Sequence, residues 1–229
     1  MQLDDAFITT LLLTFKLATI STFCLLFVSI ALAYCFVFVR LPFKSFFQAL
    51  VSMPLVLPPS VLGFYLLVSF SPKNALGAFL QETFGLTLVF SFEGLVLASM
   101  IINLPFMTNP IQSAFSSVSR NLIDASYTLG HGKLRTLWSV ILPNAKAGIL
   151  TGLVMTFAHT CGEFGVVMMI GGHKVGETLV ASIAIYDSIE ALEYTLAHQY
   201  AFVLFALSFC VVFSLYLINK RFATANAAL

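Results

Sequence analysis

The chain has 229 residues, of which 59% are hydrophobic and only 9% charged, and its mean hydropathy is +0.99. That composition excludes an ordinary soluble domain and points to an integral membrane protein. The net charge of +1 carries no global basic field, so nucleic acid is not an expected partner.

Crossing the hydrocarbon core takes roughly 20 apolar residues in helix. Five runs meet that length, near 6–39, 46–70, 94–118, 147–172 and 194–219, in what reads as one membrane domain over 1–229. The first run follows an acidic start, "MQLDDAF", and is too long for a signal h-region, so it is expected to remain as the first span. Lys16 interrupts it about ten residues in. It reads either as a side chain snorkelling to the outer headgroups or as a cationic site for an anion.

In the second run, "SMPLVLPPSVLGFYLL" places Pro54, Pro58 and Pro59 where each removes a backbone donor and bends or breaks the helix. Such a break is tolerated where protein or a watery cavity satisfies the freed backbone, so it either shapes packing or lines a pathway. Between the third and fourth runs lies "DASYTLGHGKLRTLWSVILPNAKAGIL" (124–150), which carries more polar and charged residues than the apolar runs on either side. Leu122, Ala125, Ser126 and Leu129 recur at helical spacing with small residues on one face, and Gly130 is placed to stop that helix. Leu134, Leu137, Trp138 and Ile141 repeat the spacing, with Lys133 and Arg135 opposite, until Pro143 ends the run. Two short helices at a glycine elbow either lie flat on the lipid or dock another protein. The small face at Ala125 and Ser126 favours docking, since small side chains add little to lipid burial.

The fourth run contains His159 and Glu163, four residues apart and so expected on one helical face. They form either a gate or pathway pair or a hydrogen bond that fixes packing. Gly162, Gly165, Gly171 and Gly172 either let helices pack closely or mark the helix end. Thr178–Tyr186 is apolar but too short to span, and is expected as a short helix on the outer surface or dipping into it. Cys24, Cys35, Cys161 and Cys210 all lie in apolar runs without metal-ligand spacing and read as small fillers; no metal site is expected.

Orientation follows from the basic residues of short loops. Arg40, Lys44, Arg120, Lys133, Arg135, Lys146, Lys220 and Arg221 fall on one side, against Lys73 and Lys174 on the other. The N-terminus is therefore expected outside, the C-terminus inside, and the 119–146 loop in the cytoplasm.

"DASYTLG", followed nine residues later by "VILP", resembles the cytoplasmic signature loop of ABC importer permeases: Glu-Ala-Ala, three residues, Gly, nine residues, Ile, any, Leu-Pro. Asp124, Ser126 and Val140 replace Glu, the second Ala and Ile with like charge, size and shape, while Ala125, Gly130, Leu142 and Pro143 match. The strings "MPLVLPPSVLGFYLLV", "FSFEGLVLASMIINLPF" and "CGEFGVVMMIGG" extend the likeness over nearly the whole chain and are similar to the molybdate permease branch, with sulfate/thiosulfate permeases next. One departure is His159, where these permeases commonly carry Arg.

The resemblance implies an all-α, multi-pass type I importer permease of the prokaryotic inner membrane that pairs with a second copy of itself. It implies docking of Asp124, Ala125, Ser126, Gly130, Val140, Leu142 and Pro143 onto two ATP-binding cassette subunits, with ATP and magnesium bound there. It also implies an extracytoplasmic binding protein that delivers an oxyanion such as molybdate or tungstate. Lys16, His159, Gly162, Glu163 and Gly165 are the pathway or gate candidates. This chain binds no cofactor of its own in that reading. "HGKL" is no P-loop, because Tyr127 stands at the first glycine position and Leu134 at the Ser/Thr position. A membrane-embedded enzyme using His159 and Glu163 would need a third ligand or partner that the helix does not supply. A secondary transporter would show inverted repeats.

Overall fold

The computed structural model describes residues 5–227, with side chains up to 217. Asp4 of the acidic start, and the side chains of Lys220 and Arg221 that enter the charge argument, lie outside the described residues. The described chain is helical apart from its connections. Helix α1 is Asp5–Phe38, α2 Lys44–Ser52, α3 Pro59–Phe70, α4 Ala75–Phe84 and α5 Phe92–Ser117. Two short helices, α6 (Arg120–Thr128) and α7 (Lys133–Thr136), lead through a π-helical turn, Leu137–Ile141, into α8 (Leu142–Asn144). The chain closes with α9 (Lys146–Gly162), α10 (Gly165–Gly171), α11 (Ala181–Glu190) and α12 (Tyr194–Ala227).

Among the described residues, α1, α5 and the Tyr194–Leu217 part of α12 are long and apolar enough to cross a membrane, or up to five spans if each bent helix pair is one. The second predicted span is one of those pairs. Its halves, Lys44–Leu55 and Pro59–Phe70, diverge by 108° around the prolines. Pro59 then opens α3 at a position that needs no N–H donor.

The centre of the molecule is α5, flanked by α1 and α9. Leu25 of α1, Met107, Ile111 and Phe115 of α5, and Ile141 beyond the elbow form one buried cluster; Leu17, Leu95, Val166 and Ile170 belong to another. Lipid tails are as apolar as these side chains, so close packing and hydrogen bonds hold the helices together. Gly148 and Gly152, one turn apart on α9, let its backbone approach α5: a Cβ at Gly148 would lie 2.4 Å from Ala114 Cβ and 2.7 Å from the Pro110 carbonyl oxygen. Across the α1–α5 contact, buried Thr108 donates its hydroxyl to Ser29 Oγ at 2.9 Å.

One expectation is corrected and one refined. The 147–172 run is not one helix: α9 ends at Gly162, Glu163 is extended (φ −67°, ψ 127°), and α10 starts at Gly165. The 178–186 segment is a short helix as expected, but it starts later and is packed into the protein rather than lying exposed on its surface. Helix α11 starts at Ala181, and Ala181, Ile183 and Ala184 are buried, with Ala181 and Ala184 in a cluster that also contains Phe7 of α1 and Tyr200 of α12. Its first N–H, from Ala181, donates to Thr14 Oγ1 of α1 at 2.8 Å, so the helix start needs no water.

Candidate functional site

The elbow is built around Gly130, whose φ of +80° is costly for any residue with a Cβ. It turns the chain after α6 so that α7 packs back on it. Ser126 faces inward: its hydroxyl bonds Thr136 Oγ1 at 2.9 Å and His131 Nδ1 at 3.2 Å, with Ser126 and Thr136 both buried. The two small residues of the sequence pattern therefore part. Asp124 and Ala125 stay exposed, while Ser126 locks the elbow.

Pro143 does not end the second helix as its sequence position suggests. Because Pro143 lacks an N–H, the chain widens just before it, and the Leu142 N–H bonds back to the Leu137 carbonyl five residues earlier. The helical path breaks two residues after Pro143, at Ala145 (φ −94°, ψ 4°), and turns by 75° into α9. The widened turn divides the predicted apolar face: Ile141 enters the core, whereas Leu134 (70% exposed) and Trp138 (65%) face outward. Val140 and Leu142 are half-buried and Pro143 is exposed.

Glu163 sits in the break between α9 and α10. Its Oε1 accepts the Val166 N–H at 3.0 Å, so the carboxylate caps α10, and its own carbonyl accepts the Ser182 hydroxyl at 2.7 Å. Its other oxygen is 4.0 Å from His159 Nε2, beyond hydrogen-bond distance. The imidazole stacks on Phe106 at 4.2 Å, and its Nδ1 is buried without a hydrogen-bond partner. Gly162 has open space where a Cβ would point, whereas a Cβ at Gly165 would lie 2.6 Å from Pro59 Cβ. The break before α3 and the break before α10 are thus packed against each other. Non-helical backbone at that depth is tolerated where protein or a water-lined cavity satisfies it. Lys16 stands apart from this group; its ammonium lies 4.6 Å over the Phe92 ring at the start of α5.

Sequence reasoning missed the polar seam beside His159. Asn103 is fully buried on α5, and its amide donates to the Ser99 carbonyl at 2.8 Å and to Thr160 Oγ1 of α9 at 3.1 Å. Its Oδ1, Ser99 Oγ and Thr156 Oγ1 are buried without partners. An asparagine inside an otherwise apolar run, "ASMIINLPF", was the available signal.

The pattern of the family described as binding-protein-dependent transport system inner membrane component matches residues 25–224. The chain belongs to this family. It is 41% identical over 223 residues to the molybdenum transport system permease protein ModB of Azotobacter vinelandii, covering 97% of this chain and 98% of that protein. ModB of Escherichia coli K12 is 35% identical over 78% of each chain. The sulfate transport system permease protein CysT of Salmonella typhimurium is 28% identical, over 80% of this chain and 66% of that one. Among solved structures, a bacterial ABC transporter that imports the polysaccharide alginate superposes with a TM-score of 0.78 at 16% identity, covering 95% of this chain and 80% of that one. That likeness establishes the fold, helical throughout the described residues; the family match and the permease relatives make the chain a multi-pass permease component of an ABC importer.

Proposed function

We propose that this chain is the membrane-spanning subunit of a molybdate importer, with tungstate a substrate of the same charge and shape. The observation that carries the reading is the 41% identity to a molybdenum permease over 97% of the chain, against 28% to a sulfate permease over 80%. Two copies surround the pathway, with the N-terminus outside and the C-terminus in the cytoplasm. Two ATP-binding cassette subunits, holding ATP and magnesium, receive the elbows; this chain has no ATPase site of its own. An extracytoplasmic binding protein delivers the oxyanion.

The geometry suits coupling by alternating access. The exposed Asp124 and Ala125 stand on a helix braced from within by Ser126, so a push on α6 is carried through Thr136 to the widened turn. Ile141 anchors that turn in the same cluster as Met107 and Phe115 of α5. A movement of the elbow therefore reaches α5 and α9 directly. At the other end of α9, Glu163 is only 6% exposed and tied to the Val166 N–H, which keeps its negative charge out of the path of a dianion.

The test is uptake of radiolabelled molybdate, tungstate and sulfate by cells that lack their own permeases and express this chain with an ABC ATPase and an oxyanion-binding protein from the same organism. Molybdate uptake unaffected by excess sulfate is the expected result. Sulfate uptake with no molybdate uptake would replace the reading with a sulfate permease.

A further inference from the structure

Where α1 ends, Val37, Phe38, Leu41, Arg40, Lys44 and Arg120 line one pocket of about 490 Å³. Its three cations come from separate places in the chain: Arg40 from the connection just after α1, Lys44 from the first residue of α2, and Arg120 from the first residue of α6. The Arg120 guanidinium lies 5.6 Å over the Phe38 ring. Among the described residues, no carboxylate pairs with any of the three; His159–Glu163, His173–Asp187 and Lys174–Glu177 lie elsewhere. Three like charges converge on one pocket, so an anion entering it relieves their mutual repulsion. The starts of α2 and α6 add to this, because neither has a side chain capping its first turn.

The remaining wall decides between kinds of anion. Val37, Phe38 and Leu41 are apolar, and beside them the surface continues through Phe43 (83% exposed) and Phe46 (64%) on the way into α2. A small hydrated ion gains nothing from such a wall, whereas an amphiphile does. We propose that this pocket binds the phosphodiester headgroup of an anionic phospholipid, with the acyl chains lying along the exposed aromatic side chains at the start of α2. Arg40, Lys44 and Arg120 hold the phosphate, and the lipid joins α1 and α2 to the base of α6. The binding site stands independently of the transport reading. Its effect on coupling rests on that reading, because α6 is the helix that carries Ala125.

The experiment uses the full chain in the complex purified from membranes, stripped of lipid in detergent. Phosphatidylglycerol, phosphatidylcholine and inorganic phosphate are each titrated, with bound lipid counted by native mass spectrometry and the unfolding midpoint followed in parallel. Phosphatidylglycerol is expected to bind and raise the midpoint, with phosphatidylcholine and millimolar phosphate much weaker. Arg40→Gln, Lys44→Gln and Arg120→Gln should each weaken phosphatidylglycerol binding about fivefold, and the triple variant roughly a hundredfold. Lys133→Gln with Arg135→Gln, cations outside the pocket, should change it little. Equal binding of phosphatidylcholine would overturn the proposal in the wild-type protein alone, whatever the variants do. So would equal weakening in the Lys133/Arg135 control, which indicates diffuse surface attraction, or phosphate competing as strongly as the lipid, which indicates a free-oxyanion site.

Discussion

Adding one methyl group at Gly165 probes the contact between the two helix breaks. The Cβ of Gly165→Ala would lie 2.6 Å from Pro59 Cβ and 3.5 Å from the Pro59 carbonyl carbon. Ordinary carbon–carbon contacts sit at about 3.5–4.0 Å, so α10 and the start of α3 must part by about 1 Å. Pro59 belongs to a rigid ring at the first position of α3 and cannot rotate away. Overpacking of this kind costs about 1–3 kcal/mol, or about 5- to 150-fold in the folding equilibrium at 1.4 kcal/mol per tenfold. The matched control is Gly162→Ala, three residues earlier, where nothing lies within 4 Å of the added carbon. The assay is the thermal unfolding midpoint of the purified protein in detergent, read by loss of helical circular dichroism. Gly165→Ala should fall clearly below wild type while Gly162→Ala stays level with it. Equal midpoints for the two variants, or a larger loss at Gly162, would refute the contact between the breaks.

Glu163→Ala removes the acceptor for the Val166 N–H and should destabilise by about 1 kcal/mol, whereas Glu163→Gln keeps an acceptor oxygen and should be milder in the same melt. Ser126→Ala strips both hydrogen bonds that lock the elbow; faster amide hydrogen exchange across 126–136, with exchange in α5 unchanged, is the expected readout. Ala125→Glu places a charge on the exposed face of α6 and should release the ATPase subunit during co-purification, at a cost of about 2 kcal/mol or more, without lowering the amount of chain in the membrane. If the elbow merely lies on lipid, Ala125→Glu will be silent and Trp138→Ala will be the damaging change.

The glycine elbow was legible because Gly130 interrupts a helical pattern that resumes on its far side, and the prolines at 58 and 59 announced the break before α3. The break at Glu163 was only half legible: Gly162 and Gly165 were read as either a close-packing surface or a helix end, and the packing of Gly165 on Pro59 shows that both hold at this point. The same limit hid Gly148 and Gly152: their role depends on Pro110 and Ala114 in a different helix. Ser126 was placed on the correct helix but assigned to the docking face, because a periodic pattern groups residues by face and cannot say which face meets α7. Length alone left α11 either on the surface or dipping into it; Thr14, 167 residues away, satisfies its first N–H and lets it pack into the protein.

The contrast between α5 and α12 bears on how the chain is made. In its most apolar stretch, α5 is 56% buried and α12 only 11%, and it is α5 that carries Ser99, Asn103 and Thr108. A nascent α5 meeting the bilayer by itself would expose those groups to hydrocarbon, whereas α12 is already suited to lipid. The partner of Thr108 on α5, Ser29, is synthesised first, on α1. The order of synthesis thus supplies α5 with a waiting polar neighbour, and a chain begun after α1 would place its most central helix in the membrane without one.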